Sequence, residues 1–450
     1  MAQEIVNSGR ILGPDGLPIR REQLTREIAT PSLTGVRQIW TSSIASGLTP
    51  EDLVSILQRA VENDAHDFLT LAEEMEERET HYGAVLGVRK QAVTGLDIIV
   101  ESASDKTADV KLADEIRALI ADPAFDDMTE DLMDALGKSY SAVEIMWDRS
   151  ERQWRPRAYE HRDPRWFRFD RETGSELRLL DEVDFFNGIP LPAYKFITHR
   201  PRIKTGLPIR SGLARMAAFA WICKAYALKD WMAFAEVFGL PITLGKYGPG
   251  ATAEDVAVLR AAVANIGSDA RAVLPESMKI EFEKTAAAAG GDTLFEKLCE
   301  YLDRQMSKAV LGQTSTTDAQ AAGLGSNQAS VHNQVRGDII RADARRLANT
   351  LNRDLVKPYI DLNHGPQEHY PTIRIHIPEP EDLQQLTAAL KDLVPMGLRV
   401  ETSVIRDKLG LPDPAKDAEV LTAPAAAVAP AVNHHQGCPH CGTARNAASD

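Results

Sequence analysis

Cysteine and basic charge are both scarce in this sequence. Four cysteines in 450 residues, two of them inside predicted helices, argue against a disulfide framework and fit a reducing compartment. Lys and Arg number 51 against 65 Asp and Glu, which gives a net charge of -14. This balance argues against a protein that grips nucleic acid through a broad basic face, because such faces bind by neutralising phosphates. An acidic protein can still surround DNA without holding it.

Long apolar runs without charge are also missing. The most apolar window, 211–238, contains five charged residues and is therefore not predicted to span a membrane. Residues 1–12 carry Glu4 and Arg10 and have no apolar core of the length that a cleavable signal needs. We therefore expect a soluble protein that is cytosolic when it is made.

Catalytic motifs are a third absence. Gly137-Lys138-Ser139 ends like a phosphate-binding loop, but Leu132 stands where the first glycine belongs, and the stretch from Gly239 has one residue too many. The zinc-protease and nucleophile-elbow motifs do not occur, and no carboxylates are spaced for acid–base or two-metal chemistry. The sequence therefore predicts that the chain is not an enzyme.

The composition that is present, 44% hydrophobic and 26% charged, is that of a globular protein with two or three cores. Residues 1–48 show no helical or strand periodicity of apolar residues and are predicted to form an extended arm. Thr49 and Pro50 then give an N-cap and a first helical position. We expect helices from there to residue 62, from Asp64 onward, and over 81–94. The second carries a run of acids that predicts a solvated face, with a partner patch as the alternative.

Residues 96–201 alternate strand and helix patterns. Strands are predicted at 96–101, 139–147, 166–169, 177–180 and 194–199, with helices at 108–121 and 128–136. This order predicts an α+β domain with a mainly antiparallel sheet, within a chain that is mainly helical overall. Its aromatic residues are predicted to form the sheet core rather than a platform for stacking bases. They are Trp147, Trp154, Trp166, Phe167 and Phe169.

Two long helices with an insert between them are predicted next. Residues 211–238 are apolar or alanine nearly all round, so that helix must be covered by its own domain or by copies of itself. Lys224 lies opposite the stripe formed by the other charged residues. The insert is predicted to contain a strand, a helix at 253–266 and two further strands at 271–275 and 279–284. A helix from Asp292 follows, with an apolar ridge predicted to be buried: Leu294, Leu298, Leu302, Met306 and Val310. Cys223 and Cys299 are predicted core residues.

A polar loop with small residues follows this helix, at 313–328. A long helix over 329–363 then carries charges of both signs, which is typical of an exposed face with salt bridges. A short strand at 372–377 and helices at 381–394 and 403–409 come next, and an Ala/Pro-rich linker begins at residue 422.

The chain's one metal-like pattern lies in this terminal segment. Cys438 and Cys441, together with His434 and His435, are residues of the types that bind zinc in tetrahedral sites. Structural zinc sites normally pair two such half-sites, and only one is present. We therefore expect an unstructured tail and no cofactor, with zinc binding as the alternative.

Over about residues 30–420 the sequence resembles the portal proteins of Mu-like tailed bacteriophages and prophages. The resemblance rests on short motifs in a shared order and spacing, at 194–201, 206–212, 234–241, 310–314 and 409–412. It implies the portal fold of wing, stem, clip and crown, assembled into a ring typically of twelve copies. The Cys-x-x-Cys tail departs from the shared pattern.

The resemblance implies nine segments: an arm (1–48), a wing (49–210), a first stem helix (211–239), a clip (240–289), a second stem helix (290–312), a tunnel loop (313–328), a return helix (329–365), crown-like helices (366–421) and a tail (422–450). The tunnel-loop residues expected to face double-stranded DNA are Gln313, Thr314, Ser315, Thr316, Thr317, Gln320, Ser326, Asn327 and Gln328.

The same resemblance implies a function at a capsid vertex. The ring would pass DNA during packaging and ejection, and would contact terminase, the major capsid protein and head-tail connector proteins, but no membrane. The expected location is the virion, with the host cytoplasm during assembly. A DNA-processing or terminase-like enzyme of a mobile element is the main alternative, and a helical adaptor without a DNA role is a third.

Overall fold

The computed structural model describes residues 11–13, 16–238, 242–265, 278–283, 291–313, 326–376, 390–392 and 396. The chain divides into two compact units, residues 1–377 and 378–450. In the second unit, residues 390–392 are helical. The helices predicted at 381–394 and 403–409, and the tail from 422, otherwise lie outside the described residues.

Helices and strands of the first unit alternate along the chain. The helices are α1 (Arg21–Thr25), α2 (Pro50–Val61), α3 (His66–Arg78), α4 (Thr80–Thr94), α5 (Thr107–Ile120), α6 (Pro123–Met133), α7 (Ala135–Lys138), α8 (Leu213–Phe238), α9 (Ala253–Asn265), α10 (Gly291–Leu311), α11 (Ser326–Leu351) and α12 (Lys357–His364). The strands are β1 (Ile98–Glu101), β2 (Ser141–Asp148), β3 (Arg155–Arg162), β4 (Phe167–Phe169), β5 (Leu177–Leu179), β6 (Ile189–Pro190), β7 (Phe196–His199), β8 (Ile242–Tyr247), β9 (Met278–Glu283) and β10 (Thr372–Ile375).

The first long helix, α2, begins as the sequence predicts. Thr49 and Asp52 form a capping box, each side chain bonding the other residue's backbone N–H, and Pro50 occupies the first turn. The start predicted for the next helix was wrong: α3 begins at His66, and its N-cap position, Ala65, makes no side-chain bond. Asp64 instead forms an ion pair with Arg59 across the turn, at 3.5 Å.

Most acids of the run in α3 are bound within the molecule, so the prediction of a solvated face was wrong. Glu73 pairs with Arg165 at 2.9 Å and Glu76 with Lys90 at 2.6 Å. Glu74 is buried and accepts the backbone N–H groups of Ile44 and Ala45. These acids hold α3 to neighbouring segments, and their partners come from sequence positions that periodicity does not reveal.

Small antiparallel sheets replace the single sheet that the sequence predicts for 96–201. One sheet has the order β3-β2-β7, another β4-β5-β6, and β1 pairs with β10 from the far end of the unit. β2 is buried in its first seven residues, and both α6 and α1 pack on it. The five aromatic residues predicted as core are all buried, which confirms that prediction.

Two antiparallel helices, α8 and α10, flank the insert. Lys224 of α8 contacts Asp303 of α10, whereas Trp231, further along α8, stacks on Phe295, nearer the start of α10, with ring centroids 6.3 Å apart. In the insert β8 pairs with β9, and α9 packs on β8. The strand predicted at 271–275 lies outside the described residues.

A π-helical turn, Asn352–Val356, joins α11 to α12 within the long helix that the sequence predicts as continuous. Two of its polar side chains contact two different sheets. Asn352 exchanges two hydrogen bonds with the backbone of Ile373 in β10, and Asp354 accepts the N–H of Thr198 in β7 at 2.9 Å. This segment therefore fastens the long helix to both sheets.

The N-terminal segment is tied to β2 rather than free. The buried carboxylate of Glu144 accepts the backbone N–H groups of Ile28 and Ala29, and Arg162 donates to it at 2.9 Å. Lys195, also fully buried, donates to the carbonyl of Leu24 at 2.9 Å.

Candidate channel loop and its anchors

The loop after α10 begins at a glycine that no other residue would replace without strain. Gly312 has φ +71°, in the left-handed region, and an added Cβ would lie 2.9 Å from Cδ1 of Ile339 in α11. The end of α10 thus approaches α11 closely before the chain enters the loop. Residues 314–325 lie outside the described residues, and α11 begins at Ser326.

The predicted loop residues divide into three groups. Ser326, Asn327 and Gln328 lie in the first turn of α11, so the helix begins three residues earlier than the sequence predicts. Gln313 is 3% exposed, and among the described residues neither polar atom of its side-chain amide has a hydrogen-bond partner. The others lie outside the described residues: Thr314, Ser315, Thr316, Thr317 and Gln320.

A buried arginine from α4 joins both helices that carry the loop. Arg89 donates through Nη1 to the carbonyl of Val310, in the last turn of α10, and through Nε to Asp343 of α11 at 2.8 Å. The second oxygen of Asp343 accepts from Arg346 at 2.8 Å. Because Arg89 and Asp343 are both buried, this charge-assisted contact is shielded from water.

Further contacts hold α10 along the same face. The ammonium of Lys224 lies 2.5 Å from both Glu79 and Asp303, and His81 contacts the buried Ser307 at 2.7 Å. Burial acts to lower the pKa of Lys224, but its hydrogen bonds to Asp303 and Glu79 outweigh this effect and raise it. The ammonium therefore stays charged between its two carboxylates.

Sequence reasoning missed these anchors, although one signal was present. Lys224 lies on the helical wheel opposite the other charged residues of α8, on the side that proves to be buried. A lone cation at such a position predicts a buried ion pair. For Arg89, His81 and Ser307 no comparable signal exists in the sequence.

Much of the apolar surface of α8 and α10 faces water in the single chain. Phe219 is 61% exposed and Met232 69%, and Leu294 at the start of α10 is 66% exposed. The predicted ridge of α10 is thus buried at Leu302, Met306 and Val310 but not at Leu294 and Leu298. Cys299 is buried as predicted, whereas Cys223 is exposed, contrary to prediction. Exposed apolar surface on this scale is characteristic of an interface.

Metal ligands do not cluster in the part of the chain that the structure describes, where no group of three or more His, Cys, Asp or Glu could hold an ion. The predicted zinc ligands His434, His435, Cys438 and Cys441 lie outside that part. Of the described helices, none is long and apolar enough to cross a membrane.

Known proteins resemble this chain over most of its length. The Mu-like prophage FluMu protein gp29 of Haemophilus influenzae is 34% identical over 426 residues, which cover 92% of this chain and 80% of that protein. The portal protein of Escherichia phage Mu is 33% identical over 419 residues, with the same coverage. A chain in a solved structure of the neck of an empty gene transfer agent particle shares 13% identity, with a TM-score of 0.49, over 82% of this chain and 98% of that one.

The family model described as the portal protein of Mu bacteriophage matches residues 69–411, a span that includes both long helices, the insert and the loop between the anchors. This chain therefore belongs to the family of the Mu portal protein and is a phage portal protein.

Proposed function

We propose that this chain assembles into a ring, typically of twelve copies, that forms the channel at a capsid vertex through which DNA is packaged and ejected. The observation that carries the proposal is the exposed apolar surface of α8 and α10 in the single chain, at Phe219, Met232 and Leu294. Copies arranged around an axis would cover this surface, because each helix pair would pack on the next.

The described elements fit the parts of such a channel. We assign α8 and α10 to the stem, and the insert of β8, α9 and β9 to the clip that docks connector proteins. The segment between Gln313 and Ser326 would line the channel. α11 would return to a wing formed by the elements before α8 together with β10, and residues 378–421 would form the crown. The Arg89 contact supports the loop assignment, since it fixes the helix on either side of the loop to the wing.

The negative net charge of the chain is compatible with a channel through which DNA moves. With a net charge of -14, a ring of copies would repel phosphates from its walls, so DNA would slide rather than stick. The Gln, Ser and Thr side chains of the loop would make weak contacts with phosphates that do not depend on sequence.

We assign no catalytic step and no cofactor to this chain. A separate terminase ATPase would dock on the ring and drive the DNA, and the major capsid protein would surround the ring in the virion after assembly in the host cytoplasm. Family membership favours this role over that of a terminase-like enzyme, since the matching family is one of portal proteins.

The assembly is tested by negative-stain microscopy and native mass spectrometry of the purified full-length chain. We expect rings with a central channel, and a species that stays monomeric or dimeric at high concentration would refute the proposal. Spectra with and without a chelator test the tail at the same time, since bound zinc adds a mass that the chelator removes.

The loop is tested by deletion of residues 314–325. We expect rings to form as in the intact chain, while packaging or retention of DNA in particles falls strongly. The matched control shortens the exposed turn at 150–152 between β2 and β3, outside the proposed stem, clip and loop, and should leave DNA retention unchanged. Loss of the rings on deletion of the loop would show that the loop belongs to the subunit interface instead.

A further inference from the structure

A cavity of about 420 Å³ lies between α2 and the start of α8. Val54, Leu57 and Val61 of α2 form an apolar wall, and Arg210 and Arg215 supply two cations. Val54 is 56% exposed, so the wall is open to solvent. The cavity lies apart from the channel loop and its anchors, and the proposed function does not use it.

The two arginines are not neutralised within the described part of the chain. Neither guanidinium has an ion pair or hydrogen bond there, and Nη1 of Arg215 is buried without an acceptor. The nearby carboxylate, Glu62, accepts instead from Gln58 at 3.0 Å. Burial and the like charge of Arg210 lower the pKa of Arg215. Arg215 also lies in the first turn of α8, where the helix dipole disfavours a cation.

Two like charges beside each other, one with a buried donor left unpaired, are unfavourable unless an anion completes the site. A nucleic-acid phosphate could supply that anion, but it would leave the apolar wall of α2 uncovered. A protein surface that carries carboxylates beside apolar groups would satisfy both halves of the cavity. The chemistry therefore favours an acidic protein segment over DNA.

The same chain carries a suitable acidic surface on α6. Asp126, Asp127 and Glu130 are exposed and form no ion pairs among the described residues. Within one chain α6 packs on α4, α5, β2 and β3, whereas α2 packs on α3 and α8. The two helices therefore pack on different elements of their own chain, and their exposed surfaces can meet between copies. A ring needs contacts of this kind, in which two different surfaces complement each other.

We propose that the cavity between α2 and α8 receives the acidic face of α6 from a second copy of this chain. The proposal rests on the proposed ring, and it adds which charged surfaces set the contact between neighbouring subunits. Because the contact joins unlike surfaces, its charges can be reversed on either side separately.

The test uses the full-length chain and measures the fraction in rings by sedimentation velocity at about 0.1 M salt. One variant combines Arg210→Glu with Arg215→Glu, a second combines Asp126→Lys, Asp127→Lys and Glu130→Lys, and a third carries all five changes. Each reversal alone should raise the concentration needed for half-assembly at least about tenfold, since it places like charges together. The third variant should regain rings. Arg202→Glu, at an exposed arginine without an ion pair among the described residues, is the matched control and should assemble normally.

The outcomes separate the contact from the ring. If the unmodified chain forms no ring, the proposed function falls and the contact with it. If rings form but both reversals leave assembly unchanged, the contact alone is overturned; reversed arginines that leave rings intact but abolish DNA packaging would assign the cavity to phosphate. Loss of rings with the arginine changes only would exclude α6 as the occupant. If a charge reversal unfolds the chain, the double variant Arg210→Gln and Arg215→Gln replaces it in the test. Normal ring assembly of this double variant would overturn the proposal.

Discussion

His199 shows how the fold controls the ionisation of a single side chain. It is 1% exposed, and Nδ1 lies 3.0 Å from Oγ1 of Thr350 in α11. Thr350 donates its own proton to the carbonyl of Arg346, so its oxygen accepts the Nδ1–H of a neutral imidazole. Burial, and then the charges of Arg353 and Arg346, lower the pKa of His199 to about 3. The strand could be predicted from sequence, but this environment comes from a helix about 150 residues away.

The depressed pKa predicts a stability that falls in mild acid. The unfolded histidine titrates near 6.5, so between there and about 3 the unfolded chain binds more protons than the folded one. Stability from this residue is complete above pH 6.5 and is lost as pH falls. From about pH 7.5 to about pH 5 the loss is about 2 kcal/mol.

Urea unfolding of the full chain at these two pH values measures the effect. His199→Asn keeps a donor toward Thr350 but does not titrate. The loss of unfolding free energy between the two pH values should therefore be about 2 kcal/mol smaller in this variant than in the unmodified chain. His66→Asn, at an exposed histidine, should retain the full dependence. Equal pH dependence in the His199 variant and the unmodified chain would contradict the prediction.

At the scale of elements, local signals predicted much of the fold. The cap at Thr49, a strand within 96–101, the helices α8 and α10 and the start of the channel loop after α10 all follow from periodicity and turn chemistry. What could not be predicted depends on partners remote in sequence. Arg89 and Asp343 are 254 residues apart, and Lys224 and Glu79 are 145 apart. For the same reason the acids of α3 resembled a solvated face, although most of them bind distant segments.

Lys224 joins α8, α10 and the turn before α4, and its removal should loosen all three. Lys224→Met would leave Glu79 and Asp303 facing each other without a cation, at an expected cost of about 2–4 kcal/mol in the free energy of unfolding. Lys229→Met, five positions along the same helix at an exposed lysine, should change stability by less than about 0.5 kcal/mol. Denaturant unfolding of the two variants provides the comparison. Similar stabilities would show that the two ion pairs of Lys224 make no net contribution to the free energy of unfolding.

At the scale of the whole molecule, the single chain is incomplete. Several large apolar residues on α8 and α10 lie in water, while the buried charges of the described residues are mostly paired. The sequence predicted one part of this, because a helix that is apolar on nearly all sides must be buried by its own domain or by other copies of the chain. Which face stays open could not be predicted, since it depends on how α3, α4 and α10 pack against α8.

Charged substitutions at the exposed apolar positions of α8 should therefore prevent assembly without unfolding the subunit. Phe219 and Met232 are 61% and 69% exposed, so Phe219→Asp and Met232→Asp disturb little of the subunit core. In a ring each would place a carboxylate in an apolar contact that otherwise contributes about 1.5–3 kcal/mol per buried side chain, so each contact should weaken about tenfold or more. Val183→Asp, at an apolar residue 92% exposed away from α8 and α10, should leave assembly unchanged. Native mass spectrometry gives the fraction in rings and thermal unfolding checks the subunit. Rings that persist in both α8 variants would mean that neither position meets a neighbouring copy, because an interface between copies could not accommodate the added charges.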